Sequence, residues 1–271
     1  MLHLEKFDAK REVWLLAKEN DPFYREIAAS FFDADIKLLT LLSNDPEPSV
    51  RAAVASNPMT PLSLLKRLSK DSEDIVKFNV IANPKTTLAM LRGFTKDSST
   101  RVRIFLATYA HTPEEILFIL CKDKSPEVRE SLARRDSLPV RIVEELAFDE
   151  DDIVRRVIAG REVLPLRAVA RLVNDLDEDI RAVLAMNPSL SVYYQKILAE
   201  DIEDNVKIML TCNINCSGDV LRILSKDPSD EVKVSVAYSV NCPNDVFEYL
   251  KENMPEKLMS VSKPFSVSTV R

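Results

Sequence analysis

The stretch DPEPSVRAAVASNPMTP, residues 45–61, decides the fold because its features recur along the chain at a fixed interval. It begins with Asp45, carries Arg51 six residues later and breaks at Asn57-Pro58. Steps of 26 residues from Asp45 reach Asp71, Asp97, Asp123, Asp149, Asp175, Asp201 and Asp227. Basic residues keep the same step at Arg25, Arg51, Lys77, Arg103, Arg129, Arg155, Arg181, Lys207 and Lys233. A period of this length is the signature of a repeat array.

Two apolar patterns within each repeat predict two short helices. Val50 and Val54 lie four residues apart, which places both on one face of a helix. After the Asn-Pro break, Leu64, Leu65 and Leu68 form a second helical pattern that also recurs. Small residues beside the first pattern let neighbouring helices approach closely, and this column contains Ala29, Ala55, Ala107, Ala133, Ala159, Ala185 and Ala237.

Helices of about ten residues do not persist alone in water, so stacking of neighbouring repeats must supply the stability. We therefore predict an all-α protein, an α-solenoid of about nine 26-residue two-helix repeats. Residues 1–18 are predicted to form an N-terminal capping helix, residues 19–253 the repeat array, and residues 254–271 a C-terminal tail in which the periodicity has ended.

The recurring polar columns have predicted structural roles. Asp45 and its equivalents lie between the second helix and the next first helix, where a side-chain acceptor is a good N-cap. Arg51 points away from its own Asp45, so the predicted partner is an aspartate of an adjacent repeat. Asn57 is predicted to end the first helix because asparagine tolerates the left-handed conformation, and Pro58 cannot continue the helix.

The motif D-x-x-x-x-V-R-x-x-V-A-x-N-P-x-T-P-x-x-L-L-x-x-L resembles the leucine-rich repeat variant family, a relative of HEAT-like α-solenoids, over about residues 19–253. The resemblance implies a right-handed superhelix of paired short helices, some of them 3₁₀. The period of 26 is longer than is usual in that family, which leaves room for both helices to be α. The resemblance does not carry over the iron–sulfur centre of one family member, because no cysteine precedes Cys121.

The composition limits the classes of function. A net charge of −6 argues against nucleic-acid binding through the overall electrostatic field. The start of the sequence lacks the apolar run of a signal peptide, and no stretch is long and apolar enough for a membrane span. Cys121, Cys212, Cys216 and Cys242 show no CxxC spacing, so a reducing cytoplasm is the expected location.

No catalytic constellation is recognisable, and we predict a protein that is not an enzyme and needs neither a cofactor nor a metal. His3 falls in the capping segment and His111 in a turn. The acidic run Asp149–Asp152 falls at a predicted helix N-terminus, where negative charge is favoured without a metal. Cys216 and Cys242 share one repeat position, but three thiols without a fourth ligand make a poor zinc site.

The candidate binding site is a departure from the repeat. The position that holds asparagine in four repeats holds Tyr109, Arg135 and Arg161 in three consecutive middle repeats, with Arg134 and Arg156 nearby. Arginine offers planar, bidentate donors suited to carboxylate or phosphate, and tyrosine is common at interfaces. Two interpretations remain open: a binding patch on one stripe, or a solvated surface of mutually paired charges.

The leading hypothesis is a non-enzymatic interaction scaffold whose surface binds a protein or peptide segment, with an acidic or phosphorylated segment expected across the middle of the array. On this hypothesis, charge reversal at Arg135 and Arg161 abolishes binding and leaves the melting temperature unchanged. The alternative is a nucleic-acid-binding protein that resembles the HEAT-like DNA glycosylases and uses the central arginines. Cofactor or metal carriage through the cysteines ranks third.

Overall fold

The structure, a computed structural model, describes residues 9–258 and the side chains of residues 11–258. Every regular element in this part of the chain is an α-helix, so the all-α prediction is confirmed. In chain order the helices are α1 (Ala9–Leu16), α2 (Pro22–Ser30), α3 (Ile36–Leu42), α4 (Pro48–Ser56), α5 (Leu62–Leu68), α6 (Asp74–Ala82), α7 (Leu88–Phe94), α8 (Thr100–Thr108), α9 (Glu114–Leu120), α10 (Pro126–Ala133), α11 (Val140–Leu146), α12 (Asp152–Ala159), α13 (Leu166–Leu172), α14 (Glu178–Ala185), α15 (Val192–Leu198), α16 (Asp204–Thr211), α17 (Gly218–Leu224), α18 (Asp230–Tyr238), α19 (Asn244–Asn253) and α20 (Pro255–Leu258).

The helix boundaries follow the sequence period without a slip. The even-numbered helices from α2 to α18, called first helices here, begin at residues 22, 48, 74, 100, 126, 152, 178, 204 and 230. The odd-numbered helices from α3 to α19, called second helices, begin at residues 36, 62, 88, 114, 140, 166, 192, 218 and 244. Both kinds are α-helical, as the 26-residue period allowed.

The chain divides after Leu132 into two compact units. In the first unit, α2 packs on α4, α4 on α6 and α6 on α8, while the second helices α3, α5 and α7 each pack on the first helix that follows. In the second unit, α12, α14, α16 and α18 form the same succession, and α11 packs on α13. This packing of sequential neighbours is the arrangement of an α-solenoid; the number of complete repeats and the right-handed twist stay predictions.

The core is built from the two predicted apolar patterns. Val50 and Val54 on α4 are fully buried, as are the residues in the same positions of the first helices α6 to α18. Leu64, Leu65 and Leu68 on α5 face them and are also buried. The seven alanines of the small-residue column are all fully buried, consistent with close approach of neighbouring first helices.

The predicted capping role of Asp45 is corrected in one respect. The residue at the N-cap of α4 is Glu47, and Asp45 lies two positions earlier. The Asp45 carboxylate accepts the backbone N–H of Glu47 at 3.0 Å, which closes a tight turn ahead of the helix. Its equivalents from Asp71 to Asp227 accept the N–H two residues on in the same way.

The predicted pairing of a basic residue with an aspartate of the adjacent repeat is confirmed for seven of the nine basic residues, whereas Lys233 pairs with Asp230 of its own helix. Arg51 donates from Nε and Nη2 to the two carboxylate oxygens of Asp71, at 2.8 and 2.9 Å, and from Nη1 to the carbonyl oxygen of Asp45 at 2.9 Å. A single guanidinium group therefore links the turn before its own first helix to the equivalent turn of the next repeat. We call this the aspartate staple, and the other pairs are Arg25–Asp45, Lys77–Asp97, Arg103–Asp123, Arg155–Asp175, Arg181–Asp201 and Lys207–Asp227.

The aspartate staple makes the protein sensitive to acid. Burial is the largest single influence and would raise the pKa of Asp71 and Asp175. The hydrogen bond and charge of Arg51 or Arg155 and a backbone N–H bond together outweigh it, so each pKa lies below its ordinary value of 3.8. A carboxylate with a depressed folded-state pKa contributes stability that is complete above the unfolded-state pKa and is lost as the pH falls through the folded value.

We therefore expect a melting temperature that is steady between about pH 8 and pH 5 and falls below about pH 4. Thermal melts at a series of pH values measure this. Asp71→Asn removes one titrating group, so the melting temperature of this variant should fall less steeply with decreasing pH below about pH 4. If the melting temperature of Asp71→Asn falls with decreasing pH as steeply as that of the wild type, the aspartate staple is not the cause of the pH dependence.

Asparagine forms a second link, which the sequence did not indicate. Asn57 leaves α4 in an extended conformation, with φ −65° and ψ 123°, so the predicted left-handed conformation is wrong. Its side-chain Nδ2 donates to the carbonyl oxygens of Ala29 and Phe31 in the preceding repeat, at 2.7 and 2.9 Å. We call this the asparagine staple; Asn83, Asn187 and Asn213 repeat it.

The ends of the array are described only in part. Helix α1 lies within the predicted capping segment, and α19 ends at Asn253, where the predicted array ends. The four-residue α20 packs on α19 at the start of the predicted tail. Residues 1–8, with His3, and residues 259–271 of the tail lie outside the described part of the chain.

Candidate functional site

Three of the predicted site residues, Tyr109, Arg135 and Arg161, share the repeat position of the asparagine staple, one or two residues after a first helix. Arg134 lies one residue before this position and Arg156 lies within α12. Tyr109 directly follows α8 in an extended conformation, with φ −63° and ψ 123°, so α8 is not lengthened there. The Tyr109 hydroxyl donates to the carbonyl oxygen of Ala82 in the preceding repeat at 3.3 Å. The larger side chain therefore still reaches backward to the neighbouring repeat, as asparagine does.

Arg161 takes over the asparagine staple almost atom for atom. Its Nη1 donates to the carbonyl oxygens of Ala133 and Arg135, at 2.8 and 2.6 Å, which are the positions that Asn57 contacts in Ala29 and Phe31. Its Nη2 donates to the carbonyl oxygen of Asp136 at 2.9 Å. Burial lowers the pKa of Arg161, and the charge of Asp136 opposes that shift. Arg161 is thus a structural link between two repeats.

Arg134 and Arg135 follow the end of α10. Arg134 is exposed and Arg135 is half-buried, and burial lowers the pKa of Arg135. The backbone carbonyl of Arg135 receives the hydrogen bond from Arg161, so these two predicted site residues lie in direct contact.

Arg156 lies on the exposed side of α12 among carboxylates. Its Nη2 is 3.3 Å from Asp179, 3.5 Å from Asp177 and 3.8 Å from Asp152. Its side chain is 40% exposed, so these pairs are screened by solvent and individually weak. At Arg156 the geometry corresponds to the interpretation of mutually paired charges.

The structure therefore brings Arg135 and Arg161 together and directs Arg156 toward acidic neighbours. Tyr109 belongs to the first unit and the four arginines belong to the second. The continuous stripe from Tyr109 to Arg161 stays a prediction, as does the binding role of all five residues.

Tyr109 is part of an aromatic ladder that the sequence analysis missed. The rings of Phe78 on α6 and Phe105 on α8 stack with centroids 4.5 Å apart and an interplanar angle of 20°. Phe105 stacks in turn on Tyr109 at 6.0 Å and 16°, and Tyr109 meets His111 edge to face at 5.6 Å. Phe78, Phe105 and Tyr109 are half-buried and His111 is exposed. These four rings, named the aromatic ladder, form one unbroken series of ring contacts in the first unit.

The acidic run at Asp149–Asp152 is explained by helix capping. The carboxylate of Asp151 accepts the backbone N–H groups of Ile153 and Val154 at the start of α12, and Asp149 accepts the N–H of Asp151. These contacts agree with the predicted helix N-terminus.

The thiols offer little for chemistry. Cys212 is exposed and Cys121, Cys216 and Cys242 are buried. Burial raises the pKa of Cys216 to about 12, which disfavours the thiolate that a nucleophile or metal ligand requires. Within the side chains of residues 11–258, no three His, Cys, Asp or Glu residues are grouped as around a metal ion.

No helix in residues 9–258 combines the length and the apolar character that crossing a bilayer requires. No protein-family model matches the chain, and a search of curated proteins gives no significant match. The resemblance to the leucine-rich repeat variant family stays a prediction from the recurring motif.

Proposed function

We propose that this chain is a non-enzymatic interaction scaffold that binds a protein or peptide segment, and that the aromatic ladder is a contact surface for that segment. The observation that carries the proposal is the stack of Phe78, Phe105 and Tyr109 with His111 at its end. Aromatic rings supply large apolar area at low entropic cost and are enriched at interfaces.

Ion pairs and hydrogen bonds between repeats hold the helices of the first unit that carry the aromatic ladder. The aspartate and asparagine staples fix α4, α6 and α8 relative to one another through Arg51, Lys77 and Asn83. The rings are therefore held on a rigid base before a partner arrives, which lowers the ordering cost of binding. Aromatic surfaces of this kind recognise extended segments rich in proline or other apolar residues.

The contacts of the arginines bear on the charge of the partner. Arg161 directs two of its nitrogens at backbone carbonyls, and Arg156 faces three carboxylates. These donors are engaged within the protein, so the acidic or phosphorylated partner proposed from sequence is less well supported than an apolar one. The nucleic-acid alternative relied on the same guanidinium groups, and the observations favour a polypeptide.

We expect the double variant Phe105→Ser/Tyr109→Asn to lose partner binding without loss of the fold. Serine is chosen because Ser131 occupies the position of Phe105 in the next first helix, two residues before that helix ends. Asparagine is chosen because four other repeats carry it at the position of Tyr109. Losing two central interface rings costs about 2 kcal/mol or more, or about 30-fold in affinity. Partners captured from the native host by the wild-type chain, then titrated by calorimetry, provide the measurement.

The matched control is Tyr193→Ser, which removes a ring that is 69% exposed on the second helix α15. It should bind as the wild type does. A double variant that keeps the circular dichroism and the full affinity of the wild type would exclude the aromatic ladder as the contact surface.

A further inference from the structure

Two consecutive turns in the second unit present bare apolar side chains. Leu176 and Ile202 occupy the same position in the turns that precede α14 and α16, and they are 97% and 86% exposed. A single exposed leucine needs no explanation, but two aligned on neighbouring turns make a local apolar patch. The equivalent position elsewhere holds Pro46, Ser72, Ser98, Lys124, Glu150 and Pro228.

One arginine fixes both turns. Arg181 donates from Nη1 to the carbonyl oxygens of Asp175 and Leu176, at 2.7 and 3.4 Å. From Nε and Nη2 it donates to the carboxylate of Asp201, the residue before Ile202, at 2.7 and 3.0 Å. Each aspartate also accepts the N–H two residues on. The two apolar side chains are thus presented from turns ordered in advance, which reduces the entropic cost of docking.

The surroundings of the two turns are acidic. Leu176 is followed by Asp177, Glu178 and Asp179, and Ile202 lies two residues after Glu200 and one before Glu203. Glu178 is the first residue of α14 and Glu203 is the N-cap residue of α16, and these two helices pack on each other. The like charge of Glu203 is the main cause that raises the pKa of Glu178. The nearby cations are engaged: Arg156 with Asp177 and Asp179, Arg181 with Asp201, and Lys207 with Asp204 and Asp227. None of these three cations forms an ion pair with Glu178 or Glu203 in the described part of the chain.

We propose that Leu176, Ile202, Glu178 and Glu203, together called the acidic–apolar edge, form a second docking surface for a polypeptide segment that carries lysine or arginine beside aliphatic side chains. A cation placed at Glu178 and Glu203 relieves the repulsion between two like charges, and aliphatic groups cover Leu176 and Ile202. The same negative charge repels nucleic acids and anionic lipid surfaces, which leaves a basic polypeptide as the occupant.

The test is a selection of random twelve-residue peptides displayed on phage, carried out in parallel on the full wild-type chain and on Leu176→Ser/Ile202→Ser. Serine occupies this turn position at Ser72 and Ser98, so the fold should be retained, and thermal melts check it. We expect a set of peptides that the wild type enriches at least about tenfold over the variant, and we expect them to pair Lys or Arg with Leu, Ile or Val.

A synthetic peptide from that set should bind the Glu178→Gln/Glu203→Gln variant at least about tenfold more weakly and should weaken with added salt. The control Val163→Ser removes a side chain that is 75% exposed in a turn before a second helix, and it should leave the affinity unchanged. Three outcomes would each overturn the proposal. The wild type and Leu176→Ser/Ile202→Ser could enrich the same peptides, or the peptides that only the wild type enriches could be acidic or uncharged. The third is a peptide affinity that Glu178→Gln/Glu203→Gln does not alter.

Discussion

Replacing Asp175 with alanine is expected to lower the free energy of unfolding by about 3–5 kcal/mol. The Asp175 side chain is fully buried and accepts hydrogen bonds from Arg155 at 2.8 and 3.1 Å, with Arg171 also 3.1 Å away. Alanine leaves both guanidinium groups facing the site without a carboxylate. Removing one partner of a buried ion pair is costly because the remaining charge is uncompensated.

Urea denaturation followed by circular dichroism measures the change as a lower midpoint. The control is Asp179→Ala, whose carboxylate is 57% exposed and lies 3.3 Å from Arg156; we expect a change of less than about 1 kcal/mol. Equal midpoints for the two variants would show that burial does not set the strength of the aspartate staple.

Substitutions at Arg161 should separate a structural residue from a binding residue. Arg161→Asn is expected to be nearly neutral, because asparagine makes the same two backbone contacts at Asn187. Arg161→Ala leaves the carbonyl oxygens of Ala133 and Arg135 without their donor, at a cost of about 1–3 kcal/mol. Arg161→Glu should cost more, about 3 kcal/mol or above, because a carboxylate then faces carbonyl oxygens in a half-buried site.

This order replaces the expectation that charge reversal at Arg135 and Arg161 leaves the melting temperature unchanged, since Arg161 is now seen to hold two repeats together. Thermal and urea unfolding of the three variants give the comparison. If Arg161→Glu melts as the wild type does, the contacts to Ala133 and Arg135 contribute nothing to stability. Arg161 would then again be a candidate for direct contact with a ligand.

The fold could be predicted from sequence because each repeat supplies a comparison for the others. A fixed step places Asp45 and Arg51 in columns, and helix geometry then excludes pairing within one repeat, so the partner in the next repeat follows. The role of Asn57 could not be obtained in this way. Asparagine after a helix suggests a left-handed residue on local grounds, whereas the contact that matters joins it to Ala29, 28 residues earlier.

From the sequence, a candidate site residue could be identified only if it occupies a fixed position of the 26-residue repeat. Tyr109, Arg135 and Arg161 stand out because they break a column, and in the structure the side chains of Tyr109 and Arg161 contact the preceding repeat. Phe78 and Phe105 are 27 residues apart, so they fall in different columns and a step of 26 does not align them. Leu176 and Ile202 do share a column, and an apolar pair where other repeats carry proline, serine or charge was a readable signal.

The staples also bear on how an array of this kind changes length during evolution. A repeat that carries both staples has one donor for the repeat after it, such as Arg51, and one for the repeat before it, such as Asn57, at constant sequence distances. Excision of residues 52–77 would bring Asp97 to 20 residues after Arg51, the separation that Asp71 has in the intact chain. Gain or loss of DNA encoding a whole 26-residue unit therefore preserves both kinds of bond, whereas loss of a single codon breaks the register of both.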